Sequence, residues 1–478
     1  FFYDGNERLI KEIGFDGRVQ TYQYDKAGRL IQHVDAGEVV TEFERDALGQ
    51  MLSRTSRSIK QPSLESEIAR FRYDAKGRLL ETYNANQFVS FSYNAFGNPT
   101  KEHHCDLNAQ RQRISASMVD IGFSNIWPGK RSGIQLPDGL RIDYDFDAHN
   151  RLNQISLNDE VITGIERDLL GREVSRAQGD LITLSENDGR LQKQTSYNQK
   201  QKTAGPIQRE YGYDAFGNIN RISDGPDQTH YVYDLINRLK KAEGSIPETF
   251  SFDPAGNLLQ AGHSKQSRTS VKGNRLYTQG DRRYTYDARG NLIEEHIGQD
   301  GKLVATYEYN LNNQLVKAVR DGHATTYTYD PLGRRISKAD AFGITRYLWV
   351  GNQMLQEQRN HLKKTYIFEP ESFNPVAQVL DEKIYHYHLD HLGTPRELTD
   401  ESGKVVWKVR YKTYGSVAVK EVEEVENNIR FQGQYYDEET GLHYNRFRYY
   451  NPNTGQFITQ DPIGLLGGVN NYQYAPNP

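Results

Sequence analysis

The sequence predicts an all-β protein made of repeated antiparallel β-hairpins that join into one coiling sheet around a wet interior. Three observations predict it. A short unit recurs through nearly the whole chain, most copies about 20 residues apart. Mean hydropathy is −0.81, yet the 478 residues include 32 Tyr and 19 Phe. Tyrosine combines a broad face for burial with a hydroxyl that tolerates water, which argues for ordered sheets and against disorder. Finally, no stretch has helical periodicity of useful length.

The unit is two alternating aromatics, Asp or Asn, two variable residues, Gly, Arg or Asn, then an aliphatic. Clear copies run Tyr22-Gln23-Tyr24-Asp25-Lys26-Ala27-Gly28-Arg29-Leu30 and Phe71-Arg72-Tyr73-Asp74-Ala75-Lys76-Gly77-Arg78-Leu79. Others start at Tyr211, Tyr284 and Tyr327. The acid or amide stands at residues 25, 46, 74, 94, 147, 168, 188, 214, 234, 253, 287, 310 and 330, and the longer steps to 147 and 287 read as degenerate copies. Alternate aromatics place both rings on one face of a strand. The Asp opens a turn by accepting backbone N–H groups, and Pro254 and Pro331 preset φ at the next position. Glycine supplies positive φ near the turn's end. The aliphatic restarts the alternation on the return strand. Hairpins of this size cannot bury a core singly, so they stack edge to edge, and the natural twist coils the sheet. Stretches such as Leu191–Tyr197 lack the strongly apolar face that a two-layer sandwich needs.

Charge and cysteine content narrow the function classes. Lys plus Arg total 59 against 63 Asp plus Glu, so no basic excess points to nucleic acid or an anionic membrane. The one cysteine, Cys105, permits no intrachain disulfide and fits a reducing compartment. The longest apolar runs, such as Tyr347–Val350, fall far short of the roughly 20 residues of a membrane span. Phe1–Asn6 reads as a hairpin turn and not as a signal peptide, so the sequence is taken as a piece of a longer chain.

The repeat resembles the YD repeat of Rhs proteins over nearly the whole chain. The C-terminal stretch is more specific. Asp390-His391-Leu392-Gly393-Thr394-Pro395-Arg396 is similar to a signature of the Rhs-associated core domain, and Arg430–Asn445 and Arg448–Pro452 continue it. Asp461-Pro462-Ile463-Gly464-Leu465-Leu466-Gly467-Gly468, running on to Pro478, is similar to the motif that ends the Rhs core. The resemblance implies a hollow β-shell, or cocoon, with YD repeats over 1–365 and a core domain over 366–478 that plugs one end. It implies a C-terminal toxin held inside as the partner in cis. Further implied partners are an immunity protein for that toxin and type VI spike, PAAR or chaperone proteins. Relatives of this kind are type VI effectors, Tc toxin C components, contact-dependent toxins and teneurins, so the expected course is bacterial cytoplasm, then export and delivery.

The same resemblance implies self-cleavage by an aspartyl-protease-like pair, with Asp461 as one carboxylate and the second in another Asp-Pro motif downstream of Pro478. Two close carboxylates can share a proton, one activating water and the other protonating the leaving amine. On the other reading, Asp-Pro only starts a tight turn. Asp437 or Glu438 are weaker candidates for the second acid. Arg446 and Arg448 could pair with Asp461 or orient the cleavage segment, although a ladder of surface ion pairs is the plainer reading. Asp390, His391, Gly393 and Pro395, with Gly464, Gly467 and Gly468, are read as structural.

No metal or cofactor is expected. His386, His388 and His391 beside Asp390 are preferred as a structural turn. His103, His104 and Cys105 lack a second cluster for metal binding, and thiol catalysis is a remote reading. Asp143, Asp145 and Asp147 mimic a calcium loop, but Ala148 and Gln154 stand where glycine and glutamate are required. Glu421, Glu423, Glu424 and Glu426 read as a solvated loop. The expected function is therefore containment and delivery of a toxin. An extracellular adhesion or carbohydrate-binding protein is the alternative, and a stand-alone hydrolase lacks a complete constellation.

Overall fold

A computed structural model describes residues 1–14, 16–108, 110–123, 129–261 and 269–475. These carry 44 strands and one 3-10 turn, Gly464–Gly467. Sheets of 24, 16 and 4 strands follow one another along the chain. Within each, successive strands pair antiparallel, as Val19–Tyr24 does with Leu30–Val34 and Leu30–Val34 with Val39–Arg45.

The repeat's turn closes as its residues require. Asp25 N–H donates to the carbonyl of Arg29 (2.9 Å), and the Asp25 carboxylate accepts the N–H groups of Ala27 and Arg29. Gly28 takes φ +81°. The Arg then does two things. Arg29 Nε binds its own Asp25 at 2.7 Å, while Nη1 reaches the carbonyl of Asp46 in the next turn at 2.9 Å. Arg78, Arg172 and Arg238 repeat this bridge to Asn94, Asn187 and Asp253. Where Asn replaces Arg, its amide does the same, Asn218 to Asn237 and Asn291 to Asn313. The second tyrosine is a further stitch: Tyr24, Tyr93, Tyr233, Tyr309 and Tyr329 donate to the carbonyls of Leu9, Leu79, Ile219, Leu292 and Leu315 in the preceding hairpin. At residues 45 and 167 Arg stands in place of that tyrosine and donates to Leu30 and Leu152 instead.

The long step before residue 147 contains two more turns of the same closure, Asn108 to Gln112 and Leu136 to Leu140. Leu136 carries no acid, so the motif is hidden there although the backbone is the same. Gly290 shows what its missing Cβ allows. At φ +85° an added Cβ would strike the Arg18 guanidinium and the Tyr472 hydroxyl. Gly290→Val is expected to cost about 1–3 kcal/mol. Gly298→Val, at φ +76° with open space around it, isolates the backbone share. Equal thermal unfolding of the two variants and the parent would contradict this assignment.

The ribbon then coils upon itself. Arg18 donates to the carbonyl of Arg289, 271 residues on, and Ser56 to Asn312, 256 on. Asn84 reaches Tyr329 across 245 residues, Arg131 reaches Gln353 across 222, and Asn198 reaches Ser402 across 204. The carboxylate of Glu248 accepts Thr413 N–H across 165. Both partners advance together, so a second revolution lies along the first in the same direction. The falling offset means that each revolution narrows toward the C-terminus.

The first revolution is covered only in part. Strands such as Leu30–Val34 and Ile219–Asp224 have no buried residue, whereas Val119, Ile134, Ile142 and Ile155 are fully buried in one core with the second revolution. In the second revolution Leu362–Phe368 and Pro375–Leu380 are buried on both faces. The small sheet of Tyr435–Asp437, Leu442–Asn445, Arg448–Asn451 and Gln456–Phe457 covers them, and its Tyr435, Leu442, Tyr444 and Tyr449 share one core with Tyr347, Trp349, Ile367 and Val376. The expected division at 365/366 lies inside the strand Leu362–Phe368. The same sheet runs on to Val417–Glu423, and the separate small sheet begins at Tyr435.

Candidate functional site

Asp461 opens a compact loop at the C-terminal end of the described chain. Its N–H donates to the carbonyl of Asn471 at 2.8 Å, closing the loop, and its own carbonyl accepts Gly464 N–H at 2.9 Å. Carboxylate Oδ1 accepts Ile463 N–H at 3.1 Å, so the turn-forming role does hold for this residue. Oδ2 lies 3.0 Å from Arg448 Nη2. A Cβ on Gly467 would come 3.0 Å from the same oxygen, so glycine is needed there for close approach. Gly464 and Gly468 are needed for backbone shape, at φ +57° and +123°.

The Arg448 guanidinium is stacked 3.6 Å from the centre of the Phe457 ring and also donates to the Asn471 carbonyl at 3.3 Å. Burial pulls its pKa down, with Asp461 opposing the shift. This is a specific, largely desolvated contact and not one rung of a surface ladder. Arg446 goes elsewhere. It sits at φ +53° in the turn before Arg448 and donates to Asn352 and to the Leu332 carbonyl, which stacks it near Trp349 and Phe447.

Asp437 is also placed elsewhere. It is fully buried and grips Arg335, with Arg335 Nη2 at 2.9 Å and Lys338 Nζ at 3.3 Å. Arg335 and Lys338 take up both of its oxygens in an ion pair, whereas Glu438 is exposed on the neighbouring turn. The Asp390 carboxylate accepts Leu392 and Thr394 N–H, Gly393 takes φ +79°, and Pro395 begins the return strand Pro395–Thr399. This hairpin docks on the first revolution: Arg209 donates to the Leu389 carbonyl, and His391 packs on Tyr211.

Among the described residues no group of three His, Cys, Asp or Glu is arranged to hold a metal. His386 and His388 are buried, His388 bonded to Thr399 at 2.8 Å. His104 bonds the Trp349 carbonyl, and burial raises the Cys105 thiol. Asp143 pairs with Arg141 and Asp147 with Arg151, as wall and turn contacts.

One constellation escapes sequence reading. Arg335 is fully buried inside five tyrosines, with Tyr327, Tyr347, Tyr435, Tyr444 and Tyr449 ring centres 4.4–5.8 Å from its guanidinium carbon. Burial pushes Tyr347 and Tyr444 up to about 12, so both rings stay neutral beside the cation. Two tyrosines come from the wall and three from the small sheet, so the cage locks one onto the other. A signal was present: residue 335 is Arg at the repeat's aliphatic position. Next to it, buried Arg334 pairs with Asp330 of its own turn and joins the second revolution to the first through Glu102.

The teneurin YD-shell family model matches residues 172–476, and the RHS repeat model matches 3–40, 24–58 and 73–104. Double-stranded DNA deaminase toxin A of Burkholderia cenocepacia is 32% identical over all of this chain, which covers 37% of it. Toxin protein Tse5 of Pseudomonas aeruginosa is 33% identical over 65% of this chain, covering 30% of that protein. The chain thus spans about a third of the length of these relatives. A Photorhabdus luminescens Tc holotoxin pore structure superposes on 99% of the chain, or 27% of that chain, with a TM-score of 0.84 at 17% identity. The repeat chemistry, the coiled wall and a family match over more than half the sequence agree: this chain belongs to the Rhs/YD-repeat shell family.

Proposed function

We propose that this chain forms the narrowing end of a hollow wall that encloses and delivers a toxic polypeptide carried C-terminally in the same parent protein. Residues 1–365 supply wall and 366–478 complete and stopper it. The observation that carries the reading is the shrinking spiral offset, from 271 to 165 residues, ending on the tyrosine-caged small sheet. A long coiling ribbon whose first revolution is buried only in part suits enclosure of another polypeptide better than burial of its own core. The relatives support the same division of labour. One is named a DNA deaminase toxin and another a probable deoxyribonuclease, and both share this region, which supports placing the named activities outside it. Loading would occur in a bacterial cytoplasm before export, with an immunity protein guarding against escape and a type VI spike or chaperone as carrier.

Asp461 is proposed as one carboxylate of an aspartyl pair that cuts the parent chain downstream and frees the enclosed segment. Intact-mass analysis of the full-length parent tests this. The expected result is a discrete C-terminal fragment that disappears in Asp461→Asn. An uncut parent that binds glycans would favour the adhesion reading instead, and a fragment that persists in Asp461→Asn would remove Asp461 from the cleavage.

A further inference from the structure

We propose that the seam between the two revolutions holds a binding site for a single six-membered ring bearing an acceptor oxygen, the chemistry of a phenol. The site is a cavity of about 160 Å³ where the strands Ile219–Asp224, Asp227–Tyr233 and Leu239–Glu243 meet Pro395–Thr399 and Val405–Tyr411 of the second revolution. Four rings, Tyr231, Tyr233, Tyr411 and Phe431, wall it together with Ile222 and Leu239. A cavity of about 150 Å³ is enough for one benzene ring, so this space admits one ring and not two. Asp461 and Arg448 do not line it.

The polar groups select the kind of ring. Tyr411 Oη, Arg396 Nε and His391 Nδ1 belong to lining residues, are buried, and find no hydrogen-bond partner among the described residues. Such groups are uncommon in folded proteins and mark the place of a water or a ligand. The Arg396 guanidinium carbon lies 6.0 Å from the Tyr411 ring centre, so the first two groups are neighbours. Burial raises the Tyr411 phenol, which keeps its proton and can donate. The acids nearby are already engaged: Asp224 with Arg396 at 3.4 Å, Asp227 with Arg410 at 2.8 Å, and Glu248 with Thr413 N–H at 2.7 Å. Donors are therefore what the cavity has to offer. Water alone would satisfy them and leave four rings facing it, whereas a ring that carries an oxygen satisfies both.

Two sources supply this chemistry. Tyr231 and Tyr233 share the face of the repeat tyrosines, and in the second revolution the small sheet lies on that face, with the Tyr329 and Tyr449 hydroxyls 2.8 Å apart. A tyrosine side chain of the enclosed polypeptide is one source, and that assignment rests on the containment reading. A free monocyclic phenol is the other and does not need it.

The full-length parent tests both. A diazirine-bearing lysine analogue at position 412, beside the cavity, reads capture of the enclosed chain by peptide mass mapping. Overnight equilibrium dialysis against p-cresol reads the free ring. A seated side chain gives a crosslink to one tyrosine-containing peptide downstream of Pro478 and no saturable p-cresol binding. A free-ligand site gives one p-cresol per chain and no such crosslink. Tyr411→Phe is expected to weaken whichever signal is seen about tenfold, the share of one hydrogen bond. Ala242→Phe fills the cavity from a buried lining position and is expected to abolish the signal. Tyr411→Phe keeps the ring and decides the case if Ala242→Phe fails to fold. Absence of both signals, or equal signals with and without the Tyr411 hydroxyl, overturns the site. Protease resistance of the downstream segment in the same samples reads containment separately, so a protected segment without either signal sinks the cavity alone.

Discussion

Arg335→Ala is expected to cost about 3–5 kcal/mol, because it leaves Asp437 buried with its main counter-charge gone. Asp437 is fully buried and Lys338 reaches it at only one oxygen. The same change empties a space lined by five tyrosine rings. Trp349 reports on the event, since its indole N–H donates to the Arg335 carbonyl at 2.8 Å and its ring lies against Tyr444. Urea unfolding followed by tryptophan fluorescence is the measurement, with limited proteolysis of the link between Glu423 and Tyr435 as the local readout. Asp437→Asn is expected to lose a similar amount while keeping the shape. A loss under about 1 kcal/mol in both variants would mean that the cage does not hold the stopper.

Acidification from pH 7 to 5 is expected to destabilise the chain by several kcal/mol, through buried histidines. His386 is 1% exposed, and burial pulls its pKa down to about 4, with Asp400 opposing. His388 lies well below the usual value for the same reason, and His386, Arg209 and Arg176 add repulsion. Burial also depresses His104 and His443. The unfolded chain binds these protons near 6.5 and the folded chain does not, so stability is complete above that pH and falls as pH drops toward 4. For His386 alone the loss is about 3 kcal/mol by pH 4. Turn aspartates such as Asp147, held down at about 2 by Arg151, act only at lower pH. Glu67 and Glu439, raised by burial, oppose the histidines weakly. Urea midpoints at pH 7 and 5 should therefore separate, and His386→Gln should narrow the gap. Equal midpoints would contradict the neutral, buried assignment.

How much of this was legible follows from the range of each interaction. The Asp-x-x-Gly turn is readable because its donors and acceptors lie within five residues, as at Asp25 and Arg29. Asp461 stands out in the sequence as a candidate because its motif is contiguous, and Arg448 because it lies in the preceding strand. The second target of each Arg, in the next turn, was not readable, because it depends on how adjacent hairpins twist. Leu136 closes a turn without the acid that marks the others, so pattern alone passed over it. Arg446 and Asp437 were grouped with Asp461 by proximity in sequence, but the short turns between strands send them to other faces.

The sequence by itself determined the hairpin unit, its edge-to-edge stacking and the wet character of much of its surface. These rest on local turn chemistry and on a lean, tyrosine-rich composition. Only the tertiary structure decided the length of each revolution, the narrowing toward the C-terminus and the partners of the buried ions. Small twists add over 17 to 25 strands before the ribbon meets itself, so which residues face each other across 165–271 positions is a property of the whole coil. The Arg335 cage is the clearest case. Its five rings are dispersed from Tyr327 to Tyr449, and only the closed spiral brings them around one charge.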